Sequence, residues 1–345
     1  MTTPATCTTP GIETRVCSLD RSHTETRVIA SLGHNWGEWA ATTAPTATQN
    51  GVETRTCARD SSHKETRTAY ATGTPGLQFV LVNNGAAYSV NKGTVTNGAV
   101  YIPAWHRLDS NNEYLPITEI GYFLNTNITG ITIPSSVKSI SQGAFQNTDL
   151  TSVTIPSGVT VIGQGTFLHC ESLTSITIPS SVTSIGNFAF GYCTSLTSVT
   201  NSSRVTSISE GTFAGCTSLT SVTIPSSVTS IGTAAFSGCT SLTSVTIPSS
   251  VTSIGTAAFN ECTSLTSITI PSSVRSIGTY AFYRCTNITS ITIPSGVTSM
   301  GNSAFQFWIA SQTINVQGHA SEDAADAAWG RGWQGGSNAT VIYQG

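Results

Sequence analysis

Cys216–Gly238 reads CTSLTSVTIPSSVTSIGTAAFSG, and the next 21 residues, Cys239–Phe259, restate Cys216–Phe236 letter for letter. The phenylalanine that closes the unit recurs at Phe145, Phe167, Phe190, Phe213, Phe236, Phe259, Phe282 and Phe305. One interval is 22 residues and six are 23, a fixed period that marks a solenoid of stacked units. Within one unit Cys216, Leu219, Val222, Ile224, Val228, Ile231, Ala235 and Phe236 are the inward candidates, spaced by Ser and Thr. Val222–Ile224 is β-branched at both ends and alternates with period two, so it predicts a short strand with Ser221 and Thr223 outward. Pro225 lacks an amide hydrogen and ends that strand. Val228–Ile231 predicts a second extended piece, and Gly232 turns the chain into one helical turn at Ala234–Phe236. A single coil buries too little to be stable, and stacking makes the core continuous.

These residues carry a resemblance. The pattern CxSLTSVTIPSSVTSIGxxAF resembles the leucine-rich repeat of the BspA-like bacterial surface proteins, over roughly 77–345. The resemblance implies a mainly β leucine-rich repeat solenoid with short one-turn helices and capped ends. It also implies an extracellular or cell-surface, non-enzymatic protein that adheres to host matrix proteins or to other bacterial surface proteins. The start, MTTPATC, has neither a charged nor an apolar leader region, so the chain is expected to be a fragment of an exported parent.

Composition agrees with a binding or structural role. Charged residues make up 9% of the chain and the net charge is −3. Fourteen of the 31 charged residues precede Leu77, so the repeat surface is hydroxyl and amide. No basic stripe is present for nucleic acid, and no apolar run approaches the ~20 residues of a membrane helix, so direct membrane insertion is not expected. Phosphate loops, HExxH and nucleophile elbows are missing, and His106, His169 and His319 are isolated, so no catalytic residue is assigned.

The expected organisation is 1–76, two degenerate 40-residue Cys/His β modules; 77–127, an amino-terminal cap and first degenerate coil; 128–311, the repeats; and 312–345, a carboxyl-terminal cap. In the first segment Gly11–Cys17 returns as Gly51–Cys57, and His23–Arg27 as His63–Arg67. The first copy holds Cys7, Cys17, His23 and His34, two thiols and two imidazoles that suit a tetrahedral structural Zn²⁺. The alternative is a small β module with a Cys7–Cys17 disulfide or free thiols. The second copy has Ala47 and Thr74 in place of Cys7 and His34, keeps only Cys57 and His63, and is not expected to bind metal in the same way. The copies resemble small Cys/His repeats that accompany BspA-like proteins, although Asp20 stands where those carry a second cysteine. No other cofactor is expected.

In the caps, Asn83-Asn84-Gly85 predicts a tight hairpin turn. Ser321 predicts the N-cap of a helix through Trp329, with Trp329 and Trp333 plugging the core end.

Three columns of the repeat are candidates for function. Cys170, Cys193, Cys216, Cys239, Cys262 and Cys285 form one file, expected to be small buried thiols. The outward pairs, among them Ser221/Thr223 and Ser244/Thr246, form a hydroxyl ladder that is either a solvated strand face or a broad protein-binding surface on the concave side. Around the phenylalanine, Phe188 and Tyr280 replace alanine, and Tyr192, Arg284 and Phe307 replace glycine, with Tyr283 beside them. Aromatics and arginine dominate interface energetics, so Tyr280, Tyr283, Arg284 and Phe307 are read as one binding patch or as local packing. In the coil 196–213, Asn201 and Ser202 stand where Ile-Pro is expected, which predicts a weakened coil or a bend. The leading reading is an extracellular adhesion protein with protein partners; the second is a non-binding spacer of a larger surface protein.

Overall fold

The computed structural model describes residues 2–107, 113–200 and 202–345. The chain forms two compact units, Met1–Gly73 and Thr74–Gly345.

The first unit contains two antiparallel hairpins, one per copy. Strand β1 (Gly11–Val16) pairs with β2 (Thr24–Ile29) in a register from Gly11↔Ile29 to Val16↔Thr24. Strand β3 (Ala40–Thr43) adds to β4 (Gly51–Cys57), which pairs with β5 (Asp60–Ala69). Alternating charged and threonine residues leave both hairpins with almost no apolar face. Their faces are held instead by Arg27–Glu13, Arg55–Glu65 and Arg67–Glu53 ion pairs, with Arg55 and Arg67 over the Trp39 ring at 4.7 and 4.4 Å.

The second unit opens on hairpin β6 (Gln78–Val82) and β7 (Ala87–Asn91), whose last pair is Val82↔Ala87. The turn spans the four residues between them, and Asn83, Asn84 and Gly85 all take positive φ, with the Ala86 amide closing it on Asn83 O at 3.2 Å. From β7 onward successive coils stack in parallel, apart from a short antiparallel pairing of Trp105–His106 with Leu115–Pro116. One file of strands carries Ser198–Thr200, Ser221–Thr223, Ser244–Thr246 and Ser267–Thr269, aligned serine on serine. A second file carries Ser207–Ile208, Ser230–Ile231, Ser253–Ile254 and Ser276–Ile277. The side between Gly232 and Cys239 is a run of turns that also ladders, with Ala234, Phe236 and Gly238 donating their amides to Thr256, Ala258 and Asn260 of the next coil. Ala234 has φ +52°, so the expected helical turn does not form: a left-handed residue breaks it so that the amides face the next coil.

The core is the phenylalanine column. Nine rings from Phe123 to Phe305 are fully buried, with centroids 5.3–5.9 Å apart. Phe123, inside the segment read as cap and first degenerate coil, is the ninth member. The far end is closed by α1 (Glu322–Trp329), N-capped by Ser321, whose hydroxyl accepts the Ala324 amide at 3.3 Å. Trp308 and Trp333 meet Phe305 edge-on at 5.2 and 6.0 Å, and Trp329 packs on Trp333. Among the described residues no helix is long and apolar enough to cross a membrane.

Asn201 lies outside the described residues. Its neighbour Ser202 is buried and donates its hydroxyl to Val182 O at 2.7 Å. In other coils that role belongs to a serine two positions on: Ser181, Ser227, Ser250 and Ser273 donate to Val159, Val205, Val228 and Val251. Arg204 occupies the column in this coil, and Ser202 supplies the missing donor.

Candidate functional site

The turn side of each coil needs left-handed backbone twice. Glycine meets that need at Gly211, Gly215 and Gly238, with φ of +57°, +70° and +73°. Large side chains meet it at Phe188 (+53°), Tyr192 (+56°), Tyr280 (+58°), Arg284 (+55°) and Phe307 (+66°). An L side chain there brings Cβ against the following carbonyl, at a cost of about 1–2 kcal/mol. Backbone strain of this kind concentrates at ligand-binding sites.

Four of these sequence candidates come together. Tyr283 meets Tyr280 at 5.5 Å and Phe307 at 5.2 Å, both edge-on. The Arg284 guanidinium stands 4.9 Å over the Phe307 ring and 5.4 Å from Tyr283, and pairs with Glu261 at 3.2 Å. Tyr280 and Phe307, each in contact with Tyr283, are 42% and 48% exposed. An open cleft of about 360 Å³ lies beside them, lined by Ala257, Asn260, Glu261, Tyr280, Tyr283 and Gln306.

Phe188 and Tyr192 do not join this patch. They lie four coils away, roughly 19 Å at the strand spacing, and pack on their own neighbours. A Cβ added to Gly211 would fall 2.2 Å from Phe188, and one added to Gly215 would fall 2.5 Å from Tyr192. Tyr192 also stacks on His169 at 4.7 Å. Ser221, Thr223, Ser244 and Thr246 are exposed on the first strand file, in register, and belong to a different part of each coil from the aromatic edge.

In the first unit the structure regroups the cysteine and histidine candidates. Cys17 and His23 are exposed at the turn end of β1 and β2, while Cys7 is buried near the opposite end. The six residues of β1 hold them roughly 20 Å apart, so neither the Cys7–Cys17–His23–His34 set nor a Cys7–Cys17 disulfide forms. Cys7 and His34 meet the second copy instead. Cys7 Sγ lies 3.5 Å from Cys57 Sγ, and Cys7, His34 and His63 bring their donor atoms within 4.8 Å of one another. A bridge between Trp36 and Cys57, the Ala58 amide on Asn35 O and the Gly37 amide on Thr56 O lay the stretch after His34 along β4. Arg59 ties down Leu32 O and Gly33 O.

Burial and the adjacent Cys57 thiol raise the pKa of Cys7. Cys57 is pushed up by burial too, but hydrogen bonds from His34, from the Asn35 and Arg59 amides and from Cys7 outweigh it and take it to about 6. The sequence did hold a signal for this grouping. The second copy lacks counterparts of Cys7 and His34 but keeps Cys57 and His63, so the two half-sets add to four.

The repeat region matches the model of the BspA type leucine rich repeat region in six copies, over residues 118–242 and 206–322. The chain belongs to the BspA-type leucine-rich repeat family. Among solved structures it is similar to the leucine-rich repeat protein TpLRR of T. pallidum, at 22% identity over 78% of this chain and 99% of that one, with a TM-score of 0.41. It is also similar to a leucine-rich repeat protein of Bacteroides ovatus, at 21% identity over 78% and 99%, TM-score 0.36. The pneumococcal vaccine antigen PcpA is 17% identical over 80% of this chain and 98% of its own, TM-score 0.42. Among curated proteins none shows significant similarity to the chain.

In this BspA-type array the cysteine column has a structural reason. Each thiol from Cys170 to Cys285 donates to the phenylalanine carbonyl of the preceding coil at 3.0–3.2 Å, as Cys216 does to Phe190 and Cys239 to Phe213. Burial raises all six pKa values, Cys170 to about 11 and Cys216 and Cys262 to about 12. These thiols are neutral donors, unsuited to nucleophilic or metal chemistry.

Proposed function

We propose that this BspA-type solenoid is an extracellular, ligand-binding part of a surface protein. In this reading it engages host matrix or bacterial surface proteins through the edge formed by Tyr280, Tyr283, Arg284 and Phe307. One observation supports the reading most. Tyr280, Arg284 and Phe307, of the types that dominate protein interfaces, hold left-handed backbone at positions where the same fold uses glycine two or three coils away, at Gly211 and Gly238. They cost the fold stability there. Local packing accounts for Phe188 and Tyr192, which fill space over Gly211 and Gly215. Tyr192 is as exposed, at 44%, as Tyr280 and Phe307, at 42% and 48%. What sets the second group apart is that Tyr280, Arg284 and Phe307 gather around Tyr283 on adjacent coils. The hydroxyl ladder through Ser221, Thr223, Ser244 and Thr246 offers a second, less specific face. Family membership supports the surface location.

Equilibrium binding of the full chain to immobilised fibronectin and fibrinogen tests this. Saturable binding that a Tyr283→Ala, Arg284→Gly, Phe307→Gly variant weakens at least tenfold is expected. Binding that survives that variant moves recognition off the edge. No saturation up to ~100 µM removes these ligands and favours the spacer reading.

A further inference from the structure

The first unit has almost nothing to hold it together. Its buried apolar side chains, among the described residues, are Cys7, Cys57, Ala69 and Ala71, while Ile12, Val16, Leu19, Val28, Leu32 and Val52 are exposed. Units of this size without a core need a disulfide or a metal. Where a staple would sit, the structure gathers two thiols and two imidazoles from far apart in sequence. We propose that Cys7, His34, Cys57 and His63 bind one structural Zn²⁺ between the two copies, two ligands from each.

The geometry favours a metal over a Cys7–Cys57 disulfide. Zinc–thiolate bonds of about 2.3 Å in a tetrahedron place two sulfurs about 3.8 Å apart, close to the 3.5 Å observed. A disulfide would explain the two sulfurs but not the convergence of the histidines. Their rings stand 4.9 Å apart edge-to-face, and His34 stacks on Trp36 at 4.5 Å. His63 Nδ1 is buried with no hydrogen-bond partner, a state that a metal bond resolves. Its other nitrogen faces the Asp60 carboxylate at 3.7 Å, the outer carboxylate that commonly orients a zinc-bound histidine. Asp60 is in turn fixed by the Ser62 amide and hydroxyl. Two thiolates balance the charge of the ion, and binding releases their protons.

The first copy supplies an internal control. Cys17, Asp20, Ser22 and His23 repeat the arrangement of Cys57, Asp60, Ser62 and His63, with the same hydrogen bonds and the same 3.7 Å contact. They remain exposed because no Cys7–His34 pair reaches them.

The test uses the full chain, reduced and stripped with chelator, then titrated with Co²⁺ and back-titrated with Zn²⁺. Expected are ~1 metal ion per chain, the ligand-field bands of tetrahedral Co²⁺ with thiolate charge transfer, and displacement by Zn²⁺. Cys57→Ser and His63→Ala weaken binding at least ~10-fold, whereas Cys17→Ser with His23→Ala leaves it unchanged. Less than ~0.2 ion per chain after reduction, an octahedral cobalt spectrum, equal loss in the Cys17/His23 variant, or a Cys7–Cys57 disulfide mapped in the unreduced chain would each overturn the proposal. The cobalt spectrum is read on the unsubstituted chain, so the result holds even where a variant fails to fold.

Discussion

Trp308 donates its indole N–H to the carbonyl oxygen of Phe282 at 2.8 Å. This is the bond that Cys285 makes to Phe259, and each earlier cysteine of the column to the phenylalanine of the preceding coil. The column is thus defined by a donor of suitable reach, and the last coil swaps a thiol for an indole that also closes the ring stack. Trp308→Phe keeps a ring and deletes the donor. It is expected to lower unfolding stability by about 1–3 kcal/mol, since the buried oxygen keeps only the Cys285 amide. Urea unfolding indistinguishable from the parent would reject this role.

The thiol column makes stability pH-dependent in a known direction. Burial raises the folded pKa values above the ordinary thiol value of 9.0, so at neutral pH every one of the six is protonated in both states. As pH rises past ~9 the unfolded chain ionises first. The stabilisation is therefore full below ~9 and is lost towards the folded values of about 11–12. Each thiol adds a slope of up to ~1.4 kcal/mol per pH unit. The melting temperature is expected to fall steeply between pH 9 and 11, and less steeply in Cys216→Ala. Alkylation at pH 8 should label Cys17 in the native chain and reach the six only after denaturation. Native labelling of the column would contradict the burial.

Much of the second unit is legible in the sequence because its contacts are local in the repeat. Once Phe236 and Phe259 are seen to be 23 residues apart, neighbouring coils must place ring on ring and Ser221 beside Ser244. Legibility fails where the pattern is diluted or the partner is distant. Phe123 lacks the surrounding repeat letters, so only its ring contact with Phe145 reveals it. Ala234 looks like a helix former, yet its amide is needed by Thr256 of the next coil. The cysteine–histidine cluster shows in the sequence only as two complementary half-sets, because aligning the two copies compares Cys17 with Cys57, whereas folding brings Cys7 to Cys57.

Ser202 gives a coupled prediction. With Arg204 in the usual serine column, Ser202 alone supplies the hydroxyl on Val182 O. Ser202→Ala is expected to cost about 1–2 kcal/mol by stranding that oxygen. Adding Arg204→Ser restores a donor at the consensus position and should recover most of the loss. Additive effects in the double variant, measured by chemical denaturation, would show that the two positions do not compensate.

The aromatic edge separates stability from binding. Arg284 and Tyr280 hold φ of +55° and +58°, which glycine adopts without penalty. The Arg284–Glu261 pair is exposed on both sides, and such pairs contribute little. Tyr280→Gly and Arg284→Gly are therefore expected to leave thermal stability unchanged or raise it slightly, where glycine in most structured segments costs about 0.5–1 kcal/mol. If the edge serves a ligand, the same variants lose binding while melting no lower than the parent. Variants that melt clearly lower would instead show that these side chains support the turn, and the strain argument for a binding site would fall with them.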